Sequence, residues 1–200
     1  MLRADAARNR ELVMAAAGAE LAEHGPDVSV ARIAQRAGVA KGTVFNHFAN
    51  KDELVAAVIA DRLDAMTALG ADLRERADPE TALAQFLTAV AELQMVDKSY
   101  CEVTGAVRGH PVVRAATERL TAVIEALAAG ARAADALRAD VTSGDIVLLL
   151  GAAVQIAAPV AGTRPDLWRR YLALLLDGLR PVGTGPLPAA PPQPHDFTQP

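Results

Sequence analysis

From Ser29 to Lys51 the chain carries Arg32, Arg36, Lys41 and Lys51, and neither an aspartate nor a glutamate. That segment is +4 before His47 is counted, on a 200-residue chain whose net charge is −4, which leaves −8 on the remainder. Cations gathered on one short stretch of an otherwise acidic chain suit contact with a polyanion, nucleic acid first. A solvated basic face would give the same count. The spacing of Ala34, Gly38 and Val44 adds to it. A helix-turn-helix needs a small residue in its first helix, where the second crosses close above, and Ala34 supplies one. It needs a sharp turn, and Gly38 tolerates the backbone angles of that turn. It needs apolar residues to lock the crossing, and Val39 and Val44 are placed to do so. An ordinary helical hairpin meets the same conditions, so spacing alone leaves both readings open.

Other chemistry is not arranged in this chain. His24, His47, His110 and His195 are scattered without a partner pattern, and no nucleophile–base pair, phosphate loop or metal-ligand spacing is evident. No catalytic residue, metal site or cofactor is expected, and an enzyme on a helical scaffold is disfavoured. Cys101 is the single cysteine, so no internal disulfide can form. It reads as a small buried residue rather than a redox sensor.

The elements that must position the basic stretch are helices. The composition is 52% hydrophobic but only 4% aromatic, dominated by Ala and Leu, which favours helix over strand and predicts an all-α protein. Val13, Ala16, Ala17 and Leu21 mark one face of a first helix over 8–24, closed by Gly25-Pro26. Ser29 is the expected N-cap of a second helix reaching Ala37, with Gly38 as its stop, and a third short helix is expected over 40–47. Asn50-Lys-Asp-Glu53 reads as a capping box opening a long fourth helix towards Arg76. Asp78-Pro79-Glu80 opens a fifth. A short helix with a break near Gly109-His-Pro111 is expected within 97–115, then one from Val112 to about Ala131. Thr142-Ser-Gly-Asp145 opens an apolar helix expected over 146 to about 158. A last helix spans 166–179, with Leu167, Tyr171, Leu174 and Leu175 on one face. Residues 181–200 hold seven prolines and no apolar period, the pattern of a disordered tail. The apolar run Ile146–Val160 falls short of the roughly 20 residues of a membrane span, and the first ten residues lack a signal-peptide layout. No membrane contact and a cytoplasmic location are expected.

The stretch from Ser29 through Gly38-Val-Ala-Lys-Gly-Thr43 to Phe45-Asn-His-Phe48 and Asn50-Lys-Asp-Glu-Leu54 resembles the DNA-binding domain of the TetR family almost position by position. The preceding Arg10, Val13, Ala16, Ala17, Leu21 and Gly25 are similar to that family's first helix. The detailed match covers about 45 residues, and the segments 139–145 and 168–179 resemble, less closely, the closing helices of one subgroup. Two positions depart from the pattern: Phe45 stands where tyrosine is usual, and Glu20 where leucine is usual. Glu20 is expected to face solvent or make an ion pair.

The resemblance implies an N-terminal three-helix DNA-binding domain over 1–54, a larger helical effector-binding and dimerisation domain over 55–180, and the tail at 181–200. It implies that Lys41 reaches a phosphate or guanine edge, and that backbone N–H groups near Gly42 and Thr43 receive a phosphate. Thr43 adds a hydroxyl, Phe45 packs on the sugar-phosphate backbone, and Asn46 reads an adenine edge. His47, Lys51, Arg32 and Ser29 contact phosphates. It further implies a homodimer on a near-palindromic double-stranded operator, paired through helices 143–158 and 166–179. A small, largely apolar effector would be lined by Met66, Phe86, Leu87, Val90, Tyr100, Val103, Val107, Leu120, Ile124 and Trp168, with Tyr100 or His110 as polar anchor. The function so implied is a transcriptional regulator, a repressor released by its ligand. Control by a protein partner, or by no ligand, is the alternative.

Overall fold

The computed structural model describes the backbone of residues 2–96, 100–149, 151–181 and 185–192, and the side chains of those residues except 2–4, 96 and 100–102. Tyr100 and Cys101 therefore lie outside the described side chains, and His195 outside the described residues. Every described regular element is helical: α1 Leu2–His24, α2 Val30–Ala37, α3 Lys41–Phe45, α4 Lys51–Arg76, α5 Pro79–Val96, α6 Tyr100–Val107, α7 Pro111–Ala133, α8 Ser143–Leu149, α9 Ala152–Ala157 and α10 Leu167–Gly178, with a 3-10 turn at Ala158–Val160. The chain forms two compact units, one of residues 1–63 and 96–117, the other of 64–95 and 118–200. α4 and α7 each contribute residues to both.

In the first unit the punctuation is local. Gly25 (φ 72°) closes α1, its N–H donating to the Leu21 carbonyl at 2.8 Å. The Ser29 hydroxyl caps α2 by accepting from the Arg32 N–H at 3.3 Å. Gly38 takes φ 68°; its N–H donates to the Gln35 carbonyl and that of Val39 to the Ala34 carbonyl, the paired bonds of a Schellman turn. Asn50 accepts from the Glu53 N–H at 2.8 Å, and the Glu53 carboxylate accepts from the Ala49 N–H at 2.7 Å, fixing the start of α4. The core joins Val13, Ala17 and Leu21 of α1 to Ile33 and Ala34 of α2, Val44 and Phe48, and Leu54 and Ile59 of α4, all buried. Val44 and Phe48 thus lock the crossing, while Val39, placed for the same task, is only half-buried.

The helix bounds differ from expectation in two informative places. α1 starts at residue 2 rather than 8, because Ala6 and Ala7 extend good helix-forming sequence. Of the run expected as one helix over 146–158, α8 Ser143–Leu149 and α9 Ala152–Ala157 are helical, residue 150 lies outside the described residues, and α9 gives way to the 3-10 turn containing Pro159. Pro159 has no N–H to donate to the Gln155 carbonyl.

The second unit packs Met66 of α4, Phe86, Leu87, Val90 and Ala91 of α5, Leu120, Ile124 and Leu127 of α7, Ile146, Ala153, and Trp168 and Leu172 of α10. On α10 the buried positions are Trp168 and Leu172, while Leu174 of the expected face is 56% exposed. Residues beyond α10 are tied in by polar contacts. Arg138 donates to Asp140 at 2.5 and 2.7 Å and to the Gly185 carbonyl at 2.8 Å, and Asp140 accepts from the Leu187 N–H at 3.3 Å.

Gly70 shows how tightly this unit is filled. A Cβ there would stand 2.5 Å from Val123 Cγ1 and 3.2 Å from the Phe86 ring. Helix propensity favours alanine over glycine by about 1 kcal/mol, but overpacking a filled core costs about 1–3 kcal/mol. Gly70→Ala is therefore expected to lower stability by about 1 kcal/mol in urea unfolding; a stabilised variant would show that Val123 yields freely.

Candidate nucleic-acid interface

The sequence-predicted contact residues divide by what already holds them. Lys41, Gly42, Phe45 and Asn46 are exposed on α3 and its end, and Thr43 and His47 are half-buried. Phe45 leaves 45% of its surface to solvent, with the Lys41 ammonium 5.8 Å from its ring centre. A large exposed aromatic beside a cation, on a five-residue helix with no acid, is a surface shaped for a partner. No atom lies within 4 Å of where a Cβ of Gly42 would stand, so backbone can approach there. The Thr43 N–H, expected to receive a phosphate, is already donated to the Ala40 carbonyl at 2.9 Å, closing the first turn of α3. The Lys51 ammonium donates to the Pro26 carbonyl, pinning the start of α4 to the α1–α2 turn.

Arg32 and Arg36 are held by α1. Arg32 Nε donates to Glu20 Oε2 at 2.5 Å, and its Nη2 lies 2.8 Å from His24 Nε2. Arg36 donates to Glu20 at 3.1 Å and to both oxygens of Glu23 at 2.8 and 2.6 Å. Glu20 is buried, at 4% exposure, so the expectation that it faces solvent fails and the ion pair stands. Burial alone would raise its carboxyl pKa; the hydrogen bonds from Arg36 and Arg32 outweigh burial and hold it below the usual carboxylate range. Glu23 is depressed chiefly by its hydrogen bond from Arg36, whose own guanidinium is raised by Glu23 and Glu20. Glu20, Glu23 and His24 also bring possible metal-ligand atoms within 4.8 Å of one another. The two guanidiniums already occupy those carboxylates, so the cluster reads as an ion-pair network.

Arg10 was not anticipated. Its guanidinium lies 5.3 Å over the Phe48 ring, and with His47, Asn50, Glu53, Ala57, His110 and Val112 it borders an open cleft of about 480 Å3. Its place one turn ahead of Val13 on α1 was the available signal. His110, expected as an effector anchor, belongs to this first unit, where its Nδ1 accepts from the Val112 N–H at 3.4 Å at the start of α7.

Of the residues expected to line an effector site, Met66, Phe86, Leu87, Val90, Leu120, Ile124 and Trp168 are buried in the second unit and Val103 and Val107 in the first. Sequence reasoning missed Gln94. It is 8% exposed and its Oε1 is buried and accepts no hydrogen bond. The signal was legible: Leu83, Leu87, Val90, Ala91 and Gln94 follow one another along the buried face of α5, and only Gln94 is polar.

The N-terminal residues 13–58 match the family model described as bacterial regulatory proteins of the tetR family, and residues 78–181 match the C-terminal domain of SbtR-like transcriptional regulators. The chain belongs to the TetR family. A TetR transcription regulatory protein from Mycobacterium vanbaalenii is similar at 31% identity, over 90% of this chain and 99% of that one, with a TM-score of 0.65. The TetR regulator SCO0520 of Streptomyces coelicolor is similar at 26% identity, over 87% and 99%, with a TM-score of 0.64. A TetR-family regulator from Agrobacterium tumefaciens shares the fold at 18% identity, over 88% and 99%, with a TM-score of 0.69. No curated protein matches the chain. As a TetR-family member the protein is a DNA-binding transcriptional regulator, with an N-terminal helix-turn-helix and a helical C-terminal part. Its fold is that of a regulator rather than an enzyme.

Proposed function

We propose that this regulator is a cytoplasmic repressor that grips a near-palindromic operator as a homodimer and lets go when a small, neutral, largely apolar molecule enters its second unit. The observation that carries the reading is α3: Lys41, Gly42, Phe45 and Asn46 are exposed together, while Val44 and Phe48 of the same stretch are buried. Asn46 has the donor–acceptor pair to read an adenine edge, and Lys41 a guanine edge or a phosphate. Ser29, Thr43, His47 and Lys51 contribute backbone contacts, and Phe45 packs on the sugars. Arg32 is withdrawn from that set because its guanidinium is committed to Glu20 and His24.

Dimerisation rests on a second observation. The segment Ser143–Val160 has a mean hydropathy of 1.7 yet is only 18% buried. Leu148 (60% exposed), Ile156 (53%) and, on α10, Leu174 (56%) face outward. The α-helical part of this segment gives way to a 3-10 turn at Ala158–Val160, which leaves it shorter than the roughly 20 residues of a membrane span. α9 packs against α10, and a second copy of the same pair would cover the exposed leucines in a four-helix arrangement.

The effector is proposed neutral because the described buried charges, Glu20 and Arg138, are both paired, whereas Gln94 offers an unused acceptor on an apolar face. A hydroxyl or amide hydrogen suits it. α4 contributes Lys51–Leu63 to the first unit and the rest of its length to the second, and a shift of this helix would couple effector to operator through differential affinity for two dimer states.

Trp168, the single tryptophan, is buried in the second unit and reports occupancy. Fluorescence titration with a medium-chain alcohol, its hydrocarbon and its carboxylate is expected to show the alcohol binding tightest. The alcohol is also expected to displace a selected operator. Gln94→Leu should erase the preference for alcohol over hydrocarbon, by roughly tenfold for one hydrogen bond, without lowering the thermal midpoint. Operator affinity unchanged at saturating alcohol removes the mechanism; preference for the carboxylate removes the neutral-ligand assignment.

A further inference from the structure

We infer that Glu20 and Glu23 act as an internal competitor for the DNA backbone, occupying Arg32 and Arg36 so that two of the four cations of the 29–51 segment are withheld from phosphate. The inference rests on α3 being the DNA-contacting helix and concerns what the neighbouring α2 does there. A carboxylate presents the same pair of oxygens to a guanidinium as a phosphate does. Here that geometry is filled: Arg36 reaches Glu23 through two nitrogens at 2.6 and 2.8 Å and Glu20 at 3.1 Å, while Arg32 reaches Glu20 at 2.5 Å. The Glu20 side chain is 5% exposed, whereas those of Arg32 and Arg36 are 52% and 37% exposed. The two arginine side chains therefore reach the surface, where a phosphate could meet them, with Glu20 behind both and Glu23 beside Arg36. The lowered carboxyl pKa values keep those anions charged at neutral pH.

Two glutamates against two arginines sum to zero. The basic stretch then presents Lys41 and a Lys51 already bonded to the Pro26 carbonyl, not four free cations. Sequence-independent attraction to DNA grows with the number of cations that displace counterions from phosphates, about 0.9 in the slope of log K against log salt for each. Withholding two per protomer weakens that attraction and leaves operator choice to the base edges read from α3.

The test measures salt dependence with the full-length protein on a scrambled duplex, by fluorescence anisotropy. Glu23→Gln is expected to steepen the slope by about 0.9 per protomer and to tighten binding several-fold at low salt. Glu11→Gln, which removes the same charge from an exposed position of α1 without releasing an arginine, is expected to change the slope much less. Arg36→Ala in the otherwise unaltered protein should leave the slope as it was, and in the Glu23→Gln background should cancel the gain. Three results overturn the inference: Arg36→Ala alone flattens the slope, Glu23→Gln leaves it unchanged, or Glu11→Gln matches Glu23→Gln. The thermal midpoint of each variant checks folding, and Glu23, itself about half exposed, carries the test if Glu20→Gln fails to fold. Lys41→Ala and Asn46→Ala on a selected operator are the reference: if operator binding survives both, the placement of α3 on DNA fails, separately from the inference.

Discussion

Asn46→Ala is expected to weaken binding to a selected operator by about 1–3 kcal/mol per half-site, a factor of about 5 to 150, while affinity for scrambled duplex stays the same. Both protomers carry the change, so the losses at the two half-sites multiply. Lys41→Ala is expected to weaken operator and scrambled duplex together and to flatten the salt slope by about 0.9 per protomer if its partner is a phosphate. If its partner is a guanine edge, the loss falls on the operator alone. Neither variant should unfold the protein. Both side chains are exposed, and the hydrogen bond from Asn46 to Gly42 is made by the backbone N–H, which alanine keeps. Thermal midpoints within the range of ordinary surface substitutions make any loss of binding attributable to the interface. Operator binding that survives both substitutions moves the reading surface off α3.

The second large effect concerns assembly. Leu174→Asp places a charge on the 56% exposed face of α10 while leaving the buried Trp168 and Leu172 in place. If α8, α9 and α10 form the dimer surface, this charge would be buried without a partner, and sedimentation should show monomers at micromolar concentration. Operator affinity should then fall by a factor of about 10² to 10⁴, because the second half-site is no longer presented at a high effective concentration. Binding to an isolated half-site should change little. A Leu174→Asp protein that remains dimeric places the interface elsewhere.

These expectations draw unequally on sequence and structure. The helix ends were legible where one residue type solves one backbone problem: glycine at positive φ for Gly25 and Gly38, a hydroxyl at an N-cap for Ser29, an Asn–Glu pair across the first turn of α4. The division of α3 into an exposed and a buried face was legible for the same reason, since Val44 had to lock the crossing of the helices. Pairings between helices were not. Glu20 is separated from Arg32 and Arg36 by twelve and sixteen residues, and no local period connects them. Read alone, a glutamate at that position looks solvent-facing, and the arginines look like free cations. Gln94 was passed over because apolar residues drew attention along α5, although an isolated amide among them was the more informative signal. His110 shows the remaining limit: nothing in its neighbours along the chain indicates that α6 and the first turns of α7 group with α1–α3 rather than with α5.

The buried Glu20 also shapes which substitutions the protein can tolerate in succession. Changing it to the leucine usual in the family would strip Arg32 of its carboxylate and Arg36 of one of two, beside an apolar core. Changing either arginine first would leave part of a buried anion uncompensated. Removing the arginines first is therefore the costlier order, since it strands a buried carboxylate, whereas the partly exposed arginines left by Glu20→Leu can turn to water. The glutamate is therefore expected to be inherited with its arginines, and regulators that keep it should keep at least one of them, whereas regulators that lack it are free to keep or lose both.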